Sequence, residues 1–421
     1  MESTSAVTAG PDGPVAPRSG RVFGGNYLAF VTGTGLSSLG NAAWYIALSW
    51  TLATTVSPGL AGLLLALATM PRLAVLLYGG AVADRHSRRK VIILSDGVAA
   101  LVMIAAAVTL LVGGPWWVLL LAAGAMSVTG AFFVPASAAL RPQLLARDDL
   151  VRGNALYSLA LRGGQAAGGP LGAYALALGG GLLVALLNAV SYGCSMIAVA
   201  LTRPYATPQE QPATTGGRPG GPGTVGVRAG LRYAWRHAQL RWLLLVLFLN
   251  ELSCAGVLNV GLALFARARG LDESGAGLLL TGFAIGSAAG ALTLIAVPAR
   301  RSAGTVFGMA LVAQAALLAA LAAAASLGPV VAIFVALGAL LGVTASLGTS
   351  LLQTWCEPEY RGRVLAVLAL VAFAAIPLGN LLIGVLFAHL GPATALLVHA
   401  AIAVTATAAF LSRPTLRRAG L

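Results

Sequence analysis

Twelve apolar runs of about 20 residues follow one another along this chain, separated by short polar breaks. A helix of that length crosses the ~30 Å hydrocarbon core of a bilayer and satisfies its own backbone hydrogen bonds on the way. The runs cover 26–53, 58–80, 91–112, 116–139, 153–178 and 181–202, then 242–266, 274–297, 303–326, 329–353, 363–389 and 392–412. Their number predicts an all-α integral membrane protein with twelve transmembrane helices. Only 9% of the 421 residues are charged, against about a quarter in a soluble chain, so there is little from which to build a solvated surface.

The formal net charge of +14 raises the question of nucleic acid, and the placement of the charges answers it. Of 26 Lys and Arg residues, 22 fall in the termini or in the loops after even-numbered runs, the pattern of topology determinants. No nucleic-acid partner is expected, and both termini are predicted to be cytoplasmic. Residues 1–21 lack an apolar core and read as a disordered cytoplasmic tail rather than a cleavable signal. The first run then serves as the insertion signal into the cell membrane. Residues 413–421 form a second tail. Between the halves, 203–241 begins as a linker rich in Pro, Gly, Thr and Gln. It continues as Val227-Arg228-Ala-Gly-Leu231-Arg232-Tyr233-Ala-Trp235-Arg236, whose spacing predicts an amphipathic helix on the inner membrane surface. Cys194, Cys254 and Cys356 are too few and too scattered for a disulfide framework or a metal site, so no cofactor is expected.

The two halves repeat one another. Ala61-Gly-Leu-Leu-Leu65 at the start of the second run returns as Ala276-Gly-Leu-Leu-Leu280 at the start of the eighth. Arg152-Gly153 and Pro170-Leu-Gly172 around the fifth run return as Arg361-Gly362 and Pro377-Leu-Gly379 around the eleventh. Two six-helix pseudo-repeats, 22–202 and 242–412, place the binding site of a transporter between them.

Charges inside spans are costly in lipid and mark function or pairing. Glu251 lies about nine residues into the seventh run, ~14 Å deep, and is the one acid read at that depth. It is assigned as a proton carrier or a ligand for a cationic substrate. Asn259 shares its helix face at i+8. Arg162 in the fifth run lies at similar depth, either as the partner of Glu251 or facing an anionic substrate group. Arg72 in the second run reaches part of the way to the interface along its own stem. Asp96, six residues past Lys90, is read as interfacial and paired with nearby arginines. Gly164, Gly168 and Gly172 recur every fourth residue, a close-packing stripe. His389 and His399 are read as structural.

Between the second and third runs stands Gly79-Gly80-Ala-Val-Ala-Asp84-Arg85-His86-Ser87-Arg88-Arg89-Lys90, an acid followed at once by basic residues. With twelve spans, the repeat and a long middle loop, this resembles the loop signature of the major facilitator superfamily. Phe132-Phe133-Val-Pro135-Ala136, Leu140-Arg-Pro142-Gln143-Leu144, Arg152-Gly-Asn154-Ala-Leu156 and Glu359-Tyr-Arg361-Gly362-Arg363-Val364 are similar to its drug and siderophore exporter branch, which includes macrolide and enterobactin exporters. The signature's second glycine is Ser87 here, the second-half loop Pro298-Ala-Arg-Arg301 has no acid, and the fourth span has no Arg. The resemblance implies that Gly80, Asp84, Arg85, Arg88 and Arg89 form a gating loop. Asp84 would dock at the start of the eleventh helix near Arg361 to Val364, where a helix N-terminus favours a carboxylate. It also implies that the first, fourth, seventh and tenth spans line a cavity. Two polar stripes lie on that list: Thr34, Ser38, Asn41 and Tyr45, and Ser346, Thr349, Ser350 and Gln353. Trp44, Phe132 and Phe133 are candidates for an apolar wall.

The implied function is proton-coupled export of an amphipathic small molecule by alternating access, in a chain acting as a lipid-surrounded monomer. An importer or uniporter on the same fold, and a transport-inactive sensor, remain open at this stage. Neither a phosphate-binding Gly-x-x-x-x-Gly-Lys-Ser/Thr loop nor a His-Glu-x-x-His motif occurs, which argues against ATP hydrolysis and intramembrane proteolysis. A cysteine pair joining position 84 to position 362 should crosslink only when the cavity is open outward. Equal crosslinking in both states removes Asp84 from the gate.

Overall fold

The computed structural model describes residues 24–85, 87–145, 149–203, 224–296, 303–324, 326–357 and 360–419. The predicted N-terminal tail, most of the middle linker and the second-half loop at 298–301 lie outside the described residues. So do the side chains of Asp84, Arg85 and Arg361. Every element among the described residues is a helix, as lipid demands of a backbone that has no water to bond. In the first half these are α1 (Gly25–Thr55), α2 (Pro58–Arg85), α3 (Arg88–Leu111), α4 (Trp117–Leu144) and α5 (Leu150–Leu201). The amphipathic α6 (Thr224–Arg236) follows. The second half holds α7 (Ala238–Leu258), α8 (Val260–Ala268), α9 (Glu273–Ala296), α10 (Ala303–Ala323), α11 (Leu327–Trp355), α12 (Arg361–Leu411) and the short α13 (Pro414–Arg417).

Two helices are far too long for one crossing. α5 has 52 residues and α12 has 51, against the ~20 a bilayer requires. Each breaks at a glycine with positive φ, Gly180 at 60° and Gly391 at 79°, a region that a Cβ makes costly. Packing against α1 shows that α5 turns back there. Along its first leg Gly164, Gly168 and Gly172 meet Gly35, Leu39 and Ala43 of α1 in ascending order. Along its second leg the order reverses, with Gly40 of α1 against Asn188 and Ser191, and Gly33 against Ser195 and Ala198. Counted by legs, with α7 and α8 as one span interrupted at Asn259, the described helices match the twelve apolar runs.

The region read as a loop at 79–90 is shorter than expected. The backbone stays helical to Arg85 and is helical again from Arg88, so Gly80, Asp84 and Arg85 occupy the last turns of α2. Arginine and lysine are good helix formers, and an α-helix can continue through an interface that supplies no other backbone partners. Arg88 and Arg89 open α3. Arg89 donates from Nε to the Val199 carbonyl at 3.2 Å and from Nη2 to the Ala200 carbonyl, covering the last carbonyls of α5.

The helix α6 packs on the start of α12. Tyr233 stacks on Tyr360 with centroids 4.2 Å apart, its hydroxyl accepts the Glu357 backbone N–H at 3.2 Å, and Gly230 lies against the Arg363 carbonyl.

The sequence repeat reappears as the contact between the halves. Gly62 of α2 lies against Asn380 and Gly384 in the first leg of α12. Gly277, its counterpart in the repeated Ala-Gly-Leu-Leu-Leu, lies against Gly169 and Ala173 in the first leg of α5. A methyl group on Gly62 would stand 2.9 Å from the Gly384 Cα, and one on Gly277 would stand 2.8 Å from the Gly169 carbonyl oxygen. Backbones cannot yield locally as a side-chain end can. Gly62→Val and Gly277→Val should each cost on the order of 1–3 kcal/mol and abolish transport. The control Gly25→Val, where a Cβ meets nothing within 4 Å, should leave detergent-solubilised thermal stability unchanged.

Candidate functional site

A cavity of ~740 Å³ opens between the halves. Four residues of the predicted first-span stripe, Thr34, Ser38, Asn41 and Tyr45, line it from α1. Arg72 reaches it from α2, Glu251 from α7 and Asn259 from the break that follows α7. Of the aromatic candidates, Trp44 and Phe133 line it and Phe132 does not. Phe283, Tyr157 and Tyr192 complete an aromatic wall that the sequence reading did not assemble. The cavity is therefore largely apolar, with a few convergent polar groups, the usual character of a small-molecule site.

The polar groups are held by specific contacts. Ser38 donates to the Leu161 carbonyl at 2.9 Å, and Thr34 donates back to the Phe30 carbonyl at 2.8 Å. Tyr192, on the second leg of α5, donates its hydroxyl to Asn41 Oδ1 at 2.6 Å. Asn259 stands at the break between α7 and α8, with φ −101° and ψ −119°. An interrupted helix beside a cavity is where irregular backbone is tolerated in a membrane.

Each charged side chain at depth meets a different fate. Arg72 lays its guanidinium over the Phe373 ring, 4.0 Å from the centroid, and so bridges α2 to the first leg of α12. Arg162 does not pair with Glu251. It donates to Ser287 Oγ on α9, and it is not part of the cavity wall. The reason is topological: the first leg of α5 packs on α9, through Gly169–Gly277 and the Thr281 hydroxyl that donates to the Ala166 carbonyl at 3.0 Å. Glu251 lines the cavity, and among the described residues no hydrogen bond or ion pair reaches its carboxylate.

Asp96 is the main departure from expectation. The sequence places it at the interface with loop arginines. The structure buries it to 2% exposure on the cavity wall, where Oδ2 accepts the Ser195 hydroxyl at 2.7 Å. Glu251 is thus not the only acid at depth. The second-half stripe is placed elsewhere too. Ser346 and Thr349 donate back to the Gly342 and Ala345 carbonyls at 2.7 and 2.8 Å, Gln353 is exposed, and α11 meets the cavity at Leu341. Gly338 and Gly342, on the i+4 row that Ser346 continues, lie against Phe283 and Ser287 of α9. His399 is buried with Nδ1 against the Ala395 carbonyl at 2.9 Å, away from the cavity wall.

The Tyr192–Asn41 bond supplies a test of this wall. Asn41→Ala leaves a buried hydroxyl without its acceptor and should destabilise by about 1–3 kcal/mol. Adding Tyr192→Phe removes the orphaned group and should recover most of that loss in a thermal unfolding measurement. Full additivity of the two changes disproves the coupling.

The sequence profile that describes the Major Facilitator Superfamily matches residues 30–299 and 243–420. The multidrug efflux pump Tap of Mycolicibacterium fortuitum is 26% identical over 357 residues, 82% of this chain and 85% of that one. A bacterial homolog of the human lysosomal transporter Spinster, inward-facing and unoccupied, superposes with TM-score 0.72 at 16% identity, over 92% of this chain and 95% of that one. A bacterial homologue of the iron transporter ferroportin gives 0.66 in its inward-facing state, at 17% identity over 92% of this chain and 98% of that one. Its outward-facing state with soaked iron gives 0.58, at 18% identity and the same coverage. Helical legs that match the twelve apolar runs, crossed glycine contacts and a cavity between the halves accord with these matches, and the chain belongs to the Major Facilitator Superfamily of multi-pass membrane transporters.

Proposed function

We propose that this chain is a proton-driven exporter of an amphipathic small molecule, with Glu251 as its proton carrier. The observation that carries the reading is the Glu251 carboxylate, unpartnered among the described residues, on the wall of a cavity between two halves. A charge so placed is costly in low dielectric unless a proton or a cationic ligand neutralises it. The aromatic and apolar wall suits the body of an amphipathic cargo. Likeness to a multidrug efflux pump along most of the chain supports export.

Alternating access is the mode of transport that this geometry supports. Gly62 and Gly277 stand near the starts of α2 and α9, ends that the distribution of basic residues assigns to the outer face. On this reading, tight packing there closes the outer side. Both termini would then lie in the cytoplasm. On this reading Asp84, at the end of α2, and the arginines that follow it hold the inner side closed in the opposite state.

The test is transport of a panel of dyes and antibiotics into everted membrane vesicles under an imposed pH gradient. Uptake by wild type and loss of at least tenfold in gradient-driven uptake by Glu251→Gln, with exchange counterflow retained, is the expected outcome. Unchanged, still gradient-dependent uptake in the variant overturns the proton-carrier role.

A further inference from the structure

The cavity does more than separate the halves. It extends into the N-terminal bundle as far as Ser95 and Asp96 of α3 and Tyr192 of the second leg of α5. There, among the described residues, the carboxylate of Asp96 accepts one hydrogen bond, at Oδ2 from Ser195. A carboxylate offers about four acceptor positions, so one hydroxyl leaves Oδ1 and most of the negative charge uncompensated.

Among the described residues, the ionisable groups around it do not supply the missing charge. From α5, Tyr192 interacts electrostatically with Asp96 but commits its hydroxyl proton to Asn41. From α2, Arg72 interacts with Tyr192, is held over Phe373, and makes no ion pair with Asp96 among the described residues. The residues that α4 contributes to the cavity wall, Met126, Ser127 and Thr129 among them, include no ionisable group. On α3 itself Arg89 is spent on the Val199 and Ala200 carbonyls. A buried carboxylate with one neutral donor and no cation needs a counter-charge of its own.

We propose that Asp96 is a second proton-exchanging group, housed in the N-terminal half and independent of Glu251. A proton arriving through the cavity binds Oδ1 and leaves by the same route, while Ser195 holds Oδ2 and fixes the carboxyl plane. Ser195 is then a positioning residue. Each half of the transporter would carry one exchangeable proton, one on α3 and one on α7. This inference rests on proton coupling as the chain's driving mode, and it assigns to that mode a residue that Glu251 does not require.

The two acids are separable without knowing the cargo. Purified full-length protein in lipid is titrated while the infrared carboxyl stretch of protonated acids is recorded, for wild type, Asp96→Asn, Glu251→Gln and Ser195→Ala. Wild type should show two titrating carboxyl bands, with Asp96→Asn removing one and Glu251→Gln the other. Loss of a band only in Glu251→Gln overturns the Asp96 proposal and leaves the exporter reading intact. Loss only in Asp96→Asn supports Asp96 and removes Glu251 as carrier. Ser195→Ala keeps the acid and should displace the Asp96 band and its titration; no displacement counts against the assignment even where Asp96→Asn fails to fold. Exchanging Na⁺ for choline at fixed pH should change nothing, and a Na⁺-dependent shift of the Asp96 band would replace the proton with a metal cation.

Discussion

In a bilayer, apolar side chains gain nothing by leaving lipid for one another, so helices are held by how closely their backbones approach. This chain meets that constraint with glycine at the crossings. The first leg of α5 presents Gly164, Gly168 and Gly172 to α1, and α9 and α11 meet through Gly286, Gly290, Gly338 and Gly342. The crossings that matter most are those between the halves, where Gly62 meets α12 and Gly277 meets α5. Because these two glycines occupy the same place in the repeat, one local arrangement serves both sides of the cavity. The cavity exists because the halves touch at these crossings and separate between them.

The second constraint is the cost of charge away from water, and four side chains at depth meet it to different degrees. Arg72 uses an aromatic face, Arg162 a serine hydroxyl, and Asp96 a serine hydroxyl that satisfies only part of its capacity. Glu251 has no answer among the described residues. The first two contacts join α2 to α12 and α5 to α9, so the arginines act as struts between the halves. That leaves the acids as the groups with chemistry to spare. Architecture and charge thus lead to the same division of labour.

Much of this was legible in the residues. The twelve spans, the halves and the glycine stripe follow from run length and spacing, which are local properties of a chain whose solvent is lipid. The α1 stripe was legible because four polar residues on one helix face have few places to go. The α11 stripe has the same spacing and a different placement, since Gly338 and Gly342 on the row that Ser346 extends lie against α9. Periodicity identifies a face; it does not say which neighbour that face meets. Asp96 was misjudged for a related reason. Distance along α3 from Lys90 suggested the interface, whereas the second leg of α5 covers it with Ser195.

Sequence by itself determined the helical class, because runs of twenty apolar residues in lipid satisfy their backbone as helices, and it carried the repeat and the motifs that resemble the superfamily. It also singled out Glu251, since an acid deep in an apolar run is conspicuous without coordinates. Tertiary structure alone decided what each charge faces. Arg162 and Glu251 share a depth in the membrane, yet α5 packs on α9 rather than α7, and depth is read along one helix while pairing depends on two. The reverse turns at Gly180 and Gly391 set those neighbours. Through them, the structure moved Arg162 out of the cavity wall and brought Asp96 into it.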